Sequence, residues 1–179
     1  YRWNVSMTLD QITASVNANL ANRYKAVPKL IKTLGEDGKY RSREISTVGQ
    51  VKDIKVYSRG NSGVLTEILI IGTEATIKVA TEYNIRLLLA PKKQSSDGSD
   101  IILTRKDGST QTNMSMLPSG YFIMQKVQSG DTLQSINFIG GGFGHGVGMS
   151  QNGAKTMTEM GKTYLEVLQH YYKGVEVSN

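Results

Sequence analysis

The 179-residue sequence is long enough for one domain with a sizeable buried core. Its 21 Lys and Arg residues against 15 Asp and Glu give a formal net charge of +6. Cysteine is absent and histidine occurs twice, which excludes a disulfide framework, a thiolate metal site and a self-contained histidine-rich zinc centre. No apolar run approaches the ~18 residues that a membrane-spanning helix needs. The net charge suits an anionic partner, but the basic residues are spread along the chain and form no basic helix, so it gives no argument for a nucleic acid.

In chain order, Trp3 alternates with Tyr1, Val5 and Met7 as in a strand, which makes Trp3 a core anchor rather than a sugar platform. Thr8-Leu-Asp-Gln11 reads as a capping box, and Ile12, Val16 and Leu20 then recur on one helical face up to Pro28. Residues 28–34 read as a short second helix stopped by Gly35. Arg59-Gly-Asn-Ser-Gly63 reads as a hairpin loop between a strand holding Ile54 and Val56 and a return strand from Val64 to Ile71. After a further strand, 75–80, Thr81 is placed to cap a short helix ending before Pro91. Arg86 in that helix reads as a buried structural ion pair in preference to a solvated side chain. Lys92 to Asp100 is a polar, serine-rich loop.

Two more hairpins follow, turning at Lys106-Asp-Gly-Ser109 and at Ser129-Gly-Asp131. The last part of the chain reads as two helices. Ser150 caps the first, which ends at Gly161, and Thr163-Tyr-Leu-Glu166 is a second capping box with Gly174 as the terminal left-handed residue. His170, in the last turn, reads as a surface or capping histidine, and Tyr171 and Tyr172 read as core residues. Hairpins with helices at the two ends predict a single-domain, antiparallel α+β fold.

Between the last strand and the last helices lies Gly140-Gly-Gly-Phe-Gly-His-Gly-Val-Gly-Met-Ser-Gln-Asn-Gly-Ala154, with seven glycines in fifteen residues. Glycine in a regular element costs about 0.5–1 kcal/mol. So many together imply unusual backbone angles or the close approach of a ligand or another chain. The spacing is not that of a dinucleotide or phosphate loop. His145 is expected to be displayed by a tight strand-to-helix connection with few side chains to hide it. Ser150 is not a nucleophile by pattern, because Gly-Met-Ser-Gln-Asn is not Gly-x-Ser-x-Gly.

The run Gly142-Phe-Gly-His-Gly-Val-Gly-Met-Ser-Gln-x-Gly-Ala154, followed by a helix and His170-Tyr-Tyr-x-Gly174, resembles the C-terminal signature of the SpoIID/LytB family. Tyr1-Arg-Trp3, Asn84-Ile-Arg86 and Leu117-Pro-Ser-Gly-Tyr-Phe122 add to the resemblance. The family comprises stage II sporulation protein D and the amidase enhancers.

The resemblance implies a domain, 1–179, that binds peptidoglycan glycan strands and cleaves them as a lytic transglycosylase. One carboxylic acid protonates the glycosidic oxygen, and the muramic acid C6 hydroxyl closes on C1 to give a 1,6-anhydro sugar. It implies no cofactor and no metal, and an extracytoplasmic location at the cell envelope or forespore septum. The alternative is a non-catalytic wall-binding module that stimulates a cell-wall amidase. The family's catalytic glutamate lies in an alanine-rich helical segment with no counterpart in this sequence. The chain is therefore expected to be a processed form or fragment that lacks its general acid and carries part of the cleft. Within that cleft His145 has a supporting role, and Phe143, Gly144, Gly146, Gly148, Ser150 and Gln151 meet the glycan. Phe143 has two readings, stacking on a sugar face or plugging the core.

Overall fold

The computed structural model describes residues 1–177, which divide into two compact units, one ending at His145 and the other beginning at Gly146. The fold is α+β, with antiparallel sheets, as the hairpin pattern predicts.

The first unit holds every strand among the described residues. Strand β1 (Arg2–Thr8) runs into helix α1 (Leu9–Ala26), then a single 3₁₀ turn, Pro28–Leu30. β2 (Ile31–Leu34), β3 (Tyr40–Arg41), β4 (Val51–Arg59), β5 (Leu65–Gly72) and β6 (Thr76–Ala80) follow. Helix α2 (Glu82–Leu88) precedes β7 (Ile102–Arg105), β8 (Thr110–Thr112), β9 (Phe122–Ser129) and β10 (Thr132–Gly141). One sheet has the order β8-β7-β1-β10-β9 and the other β3-β2-β6-β5-β4.

The period-two pattern of β1 places Trp3, Val5 and Met7 in the core, facing Gly140, Phe138 and Ile136 of β10. Tyr1, ahead of the strand, is exposed instead. The α1 capping box forms in both directions: Thr8 Oγ1 accepts from the Gln11 amide at 3.2 Å, and Gln11 Oε1 accepts from the Thr8 amide at 3.0 Å. The buried face of α1, Ile12, Val16 and Leu20, belongs to the common core, and the helix packs on β1 and β10 of one sheet and β4 of the other.

The helix expected over 28–34 is not present. Pro28 starts only one 3₁₀ turn, and residues 31–34 form β2, with Ile31 opposite Val79 and Thr33 opposite Ile77. Pairing to β6 buries Ile31 completely, a gain that local helix propensity cannot match. Thr81 stands at the start of α2, but its φ of +72° turns the side chain away from the helix amides. Its hydroxyl accepts from Asn84 Nδ2 at 3.0 Å.

The second unit contains α3 (Gln151–Glu159) and α4 (Tyr164–Tyr171), packed on each other. Ser150 caps α3, and the Thr163–Glu166 capping box starts α4 as predicted. The buried residue of α4 is Val167. No helix among the described residues is long and apolar enough to cross a membrane.

Candidate functional site

The glycine stretch begins inside β10 and continues past its end. Gly140 faces Trp3 so closely that a Cβ there would overlap the indole ring, so no other residue fits without a shift of the core. Trp3 also meets the tilted Phe122 ring at 5.9 Å, and Phe122 meets Phe138 edge-on at 5.7 Å. The backbone then leaves the strand through two left-handed positions, Gly142 with φ +82° and Gly144 with φ +123°.

This departure is held by the segment 117–122. The Ser119 hydroxyl donates to the Gly141 carbonyl at 2.6 Å and accepts from the Tyr121 amide at 3.2 Å. The Gly144 amide donates to the Pro118 carbonyl at 2.8 Å, and Ser119 and Gly144 form a parallel bridge. The Gly141 amide donates to the Tyr121 carbonyl at 2.9 Å, and the Gly142 amide to the Tyr1 carbonyl at 2.8 Å.

Behind that segment stands Arg86, buried at 7% exposure. Its guanidinium donates to the Leu117 carbonyl at 2.8 Å, the Pro118 carbonyl at 3.1 Å and Glu82 Oε2 at 2.9 Å. The expected structural ion pair is thus present, and it also holds the loop that holds the glycines. Tyr1-Arg-Trp3, Asn84-Ile-Arg86, Leu117–Phe122 and Gly140–Gly144, far apart in sequence, form one connected assembly.

At the end of this assembly His145 is exposed, as expected of a displayed imidazole. Phe143 is 67% exposed and lies edge-on to Tyr1 at 5.4 Å, so its core-plug reading is wrong. The amides of Gly142 and Gly144 on either side donate to the Tyr1 and Pro118 carbonyls, which fixes the backbone that carries it.

In the second unit Gly146 and Gly148 also have positive φ, +75° and +150°. Ser150 Oγ accepts from the Gly153 amide at 3.1 Å, so this hydroxyl caps α3, and Gln151 is exposed in the first turn. A Cβ at Gly153 would overlap the Tyr171 hydroxyl, and one at Gly148 would touch the Tyr172 ring at 3.4 Å. The later glycines of the stretch therefore leave room for the two tyrosines of His170-Tyr-Tyr. Both tyrosines are half-buried, and His170 is exposed against the Tyr171 ring at 4.8 Å.

The carboxyls displaced from their ordinary range all move down. Side-chain hydrogen bonds lead in each case: Arg41 to Asp37, Ser95 to Asp97, Asn113 to Asp100 and Ser109 to Asp107. Glu166 falls to about 2, chiefly through Lys162 and the Thr163 cap. Such carboxyls are poor proton donors near neutral pH. Among the described residues no three His, Asp or Glu side chains gather closely enough to hold a metal ion.

Comparison with known proteins gives the site its context. Stage II sporulation protein D of Bacillus amyloliquefaciens is 60% identical over 37 residues, 21% of this chain and 11% of that protein. The chain is similar to the SpoIID/LytB proteins. The same-named protein of Bacillus subtilis is 47% identical over 51 residues, 28% of this chain and 14% of the relative. The amidase enhancer of Bacillus subtilis is 36% identical over 70 residues, 39% of this chain and 9% of the relative. The chain thus aligns with only about a tenth of the length of these SpoIID/LytB relatives. Residues 94–148 match a family described as a domain of unknown function, DUF8618. No solved structure matches the chain.

Proposed function

We propose that this chain is a cell-wall module that binds peptidoglycan glycan strands and carries part of the cleft of a lytic transglycosylase-type domain. It would work outside the cytoplasm, at the envelope or the forespore septum. The observation that carries the reading is the convergence of the SpoIID/LytB-like segments on one backbone assembly that ends at exposed Phe143 and His145. Named relatives with a sporulation or amidase-enhancing role support a wall-related function.

In this reading bare backbone at Gly142 and Gly144 admits a sugar ring close to the chain, Phe143 stacks on its C–H face, and His145 hydrogen-bonds the strand. Gly146, Gly148, Ser150 and Gln151 are the second unit's contacts with glycan. Lytic cleavage needs a carboxyl whose pKa is raised toward neutrality. The displaced carboxyls of this chain move the other way. The family's acid lies in a segment with no counterpart in these 179 residues, so in this reading the general acid is supplied from outside them.

The same observation favours a second reading, a non-catalytic module that stimulates a wall amidase, in keeping with the similarity to an amidase enhancer. Muropeptide analysis of purified sacculi incubated with the chain tests the proposal. The expected result is retention of the chain on the sacculi with no new 1,6-anhydro-muramic ends. Release of such ends by the chain alone, lost in His145→Ala, would refute the assignment of the acid to other residues.

A further inference from the structure

The β8-β7-β1-β10-β9 sheet turns one face to the core and the other to solvent. Strand alternation sends Trp3, Val5, Leu103, Ile136 and Phe138 inward and their neighbours outward. Register lines the outward side chains up in rows across the strands. One row runs Thr104, Asn4, Ile139, Ile123, and the next runs Ser6, Asn137, Gln125. Ile102, Ile123, Val127 and Ile139, all on this face, are 41–59% exposed.

Charge is what the face lacks. Among the outward positions of these five strands, Arg2 at one end of β1 is the only ionisable side chain. Charged residues make up 20% of the chain, so composition does not explain their near-absence here. The outward face of the other sheet shows the contrast. It carries Lys32, Lys55, Glu67 and Lys78, with Lys78 paired to Glu67 at 3.5 Å. Depletion of charge around exposed apolar side chains marks the centre of a protein–protein interface.

The chemistry of the face selects the partner. An acidic or basic partner would find no counter-charge on it. A second copy of the chain needs none. Hydroxyls and carboxamides both donate and accept, so the face is complementary to itself, as a two-fold interface requires. Two chains of charge +6 repel, and contact through an uncharged face keeps their lysines and arginines outside the contact. At ~4.8 Å between strands and ~3.3 Å per residue the five strands cover roughly 500 Å² in projection, and a pleated surface exposes more than its projection. That lies somewhat below the ~800 Å² per partner of a standard interface, the size of a reversible contact.

We propose that this sheet face pairs with the same face of a second chain, sheet against sheet, in a reversible two-fold dimer. The exposed isoleucines interdigitate with their copies, and the carboxamides and hydroxyls between them exchange hydrogen bonds. The pairing is independent of glycan binding.

Sedimentation velocity of the intact chain over about 10–500 µM tests it, a range suited to an interface below standard size. A dimer is expected at the upper end. Gln125→Lys and Ile102→Lys each put a like charge on the face at an exposed position, and each is expected to raise the dimer dissociation constant about tenfold. Thr76→Lys puts the same charge on the outward face of the other sheet and is expected to associate as the wild type does. Circular dichroism confirms that each variant is folded, and the two face variants lie on different strands so that loss of fold in one leaves the other to decide. A wild type that stays monomeric, face variants that dimerise like the wild type, or a Thr76→Lys chain weakened as much as they are would each overturn the proposal. So would hydrogen exchange in which dimerisation protects the edge amides of β9, the mark of edge-to-edge strand pairing.

Discussion

The Ser119 hydroxyl bridges two backbone groups, donating to the Gly141 carbonyl at 2.6 Å while accepting from the Tyr121 amide at 3.2 Å. Ser119 is 1% exposed, so water cannot readily replace either bond. Ser119→Ala would leave an acceptor and a donor unsatisfied, at a cost of about 1–3 kcal/mol. Urea denaturation should show that loss, and hydrogen exchange should show faster opening at Gly141, Gly142 and Gly144. Unchanged exchange there would mean that the glycine segment is held by something else.

Arg86 should be the most sensitive single position behind the site. It satisfies two backbone carbonyls and the Glu82 carboxylate at once. Arg86→Met removes the fork and strands a partly buried carboxylate, for an expected loss of about 3–5 kcal/mol. Arg86→Lys should restore little, because an ammonium lacks the planar geometry that reaches all three acceptors. Chemical denaturation of both variants checks this, and near-wild-type stability for the lysine variant would count against it.

Acid titration of Glu166 should report on the start of α4. Glu166 is held at about 2, below its ordinary 4.5, by Lys162 and by the Thr163 amide and hydroxyl. A depressed folded-state value means that the stabilisation is fully present above about pH 4.5 and is lost as pH falls toward 2. Side-chain NMR should give a Glu166 midpoint near 2, and α4 should fray as that midpoint is passed. Glu166→Gln should weaken the acid-dependent part of the change. A midpoint at the ordinary value would show that the capping box does not hold charge in solution.

Much of the fold was legible because its signals are local. Thr8–Gln11 and Thr163–Glu166 are complete capping boxes, and the three hairpin turns are marked by glycine and polar residues. The misread segment, 31–34, is settled by its distant partner β6 and not by Pro28 beside it. In the candidate site, exposure of His145 followed from the glycines around it, but exposure of Phe143 did not, since an aromatic ring alone does not reveal which side of a loop is filled. Least legible was the gathering of basic side chains where β1 pairs with β7. Arg105-Lys106 is an ordinary basic pair in sequence, and only the pairing of β1 with β7 sets it beside Arg2.

The central claim is that an imidazole carried by a bare, firmly held backbone contacts wall glycan. Co-sedimentation of the wild-type chain and His145→Ala with purified sacculi tests it most directly. The account predicts that the wild type pellets with sacculi and that His145→Ala binds about tenfold more weakly with an unchanged melting transition. Equal sedimentation of the two proteins, or none by either, would contradict it.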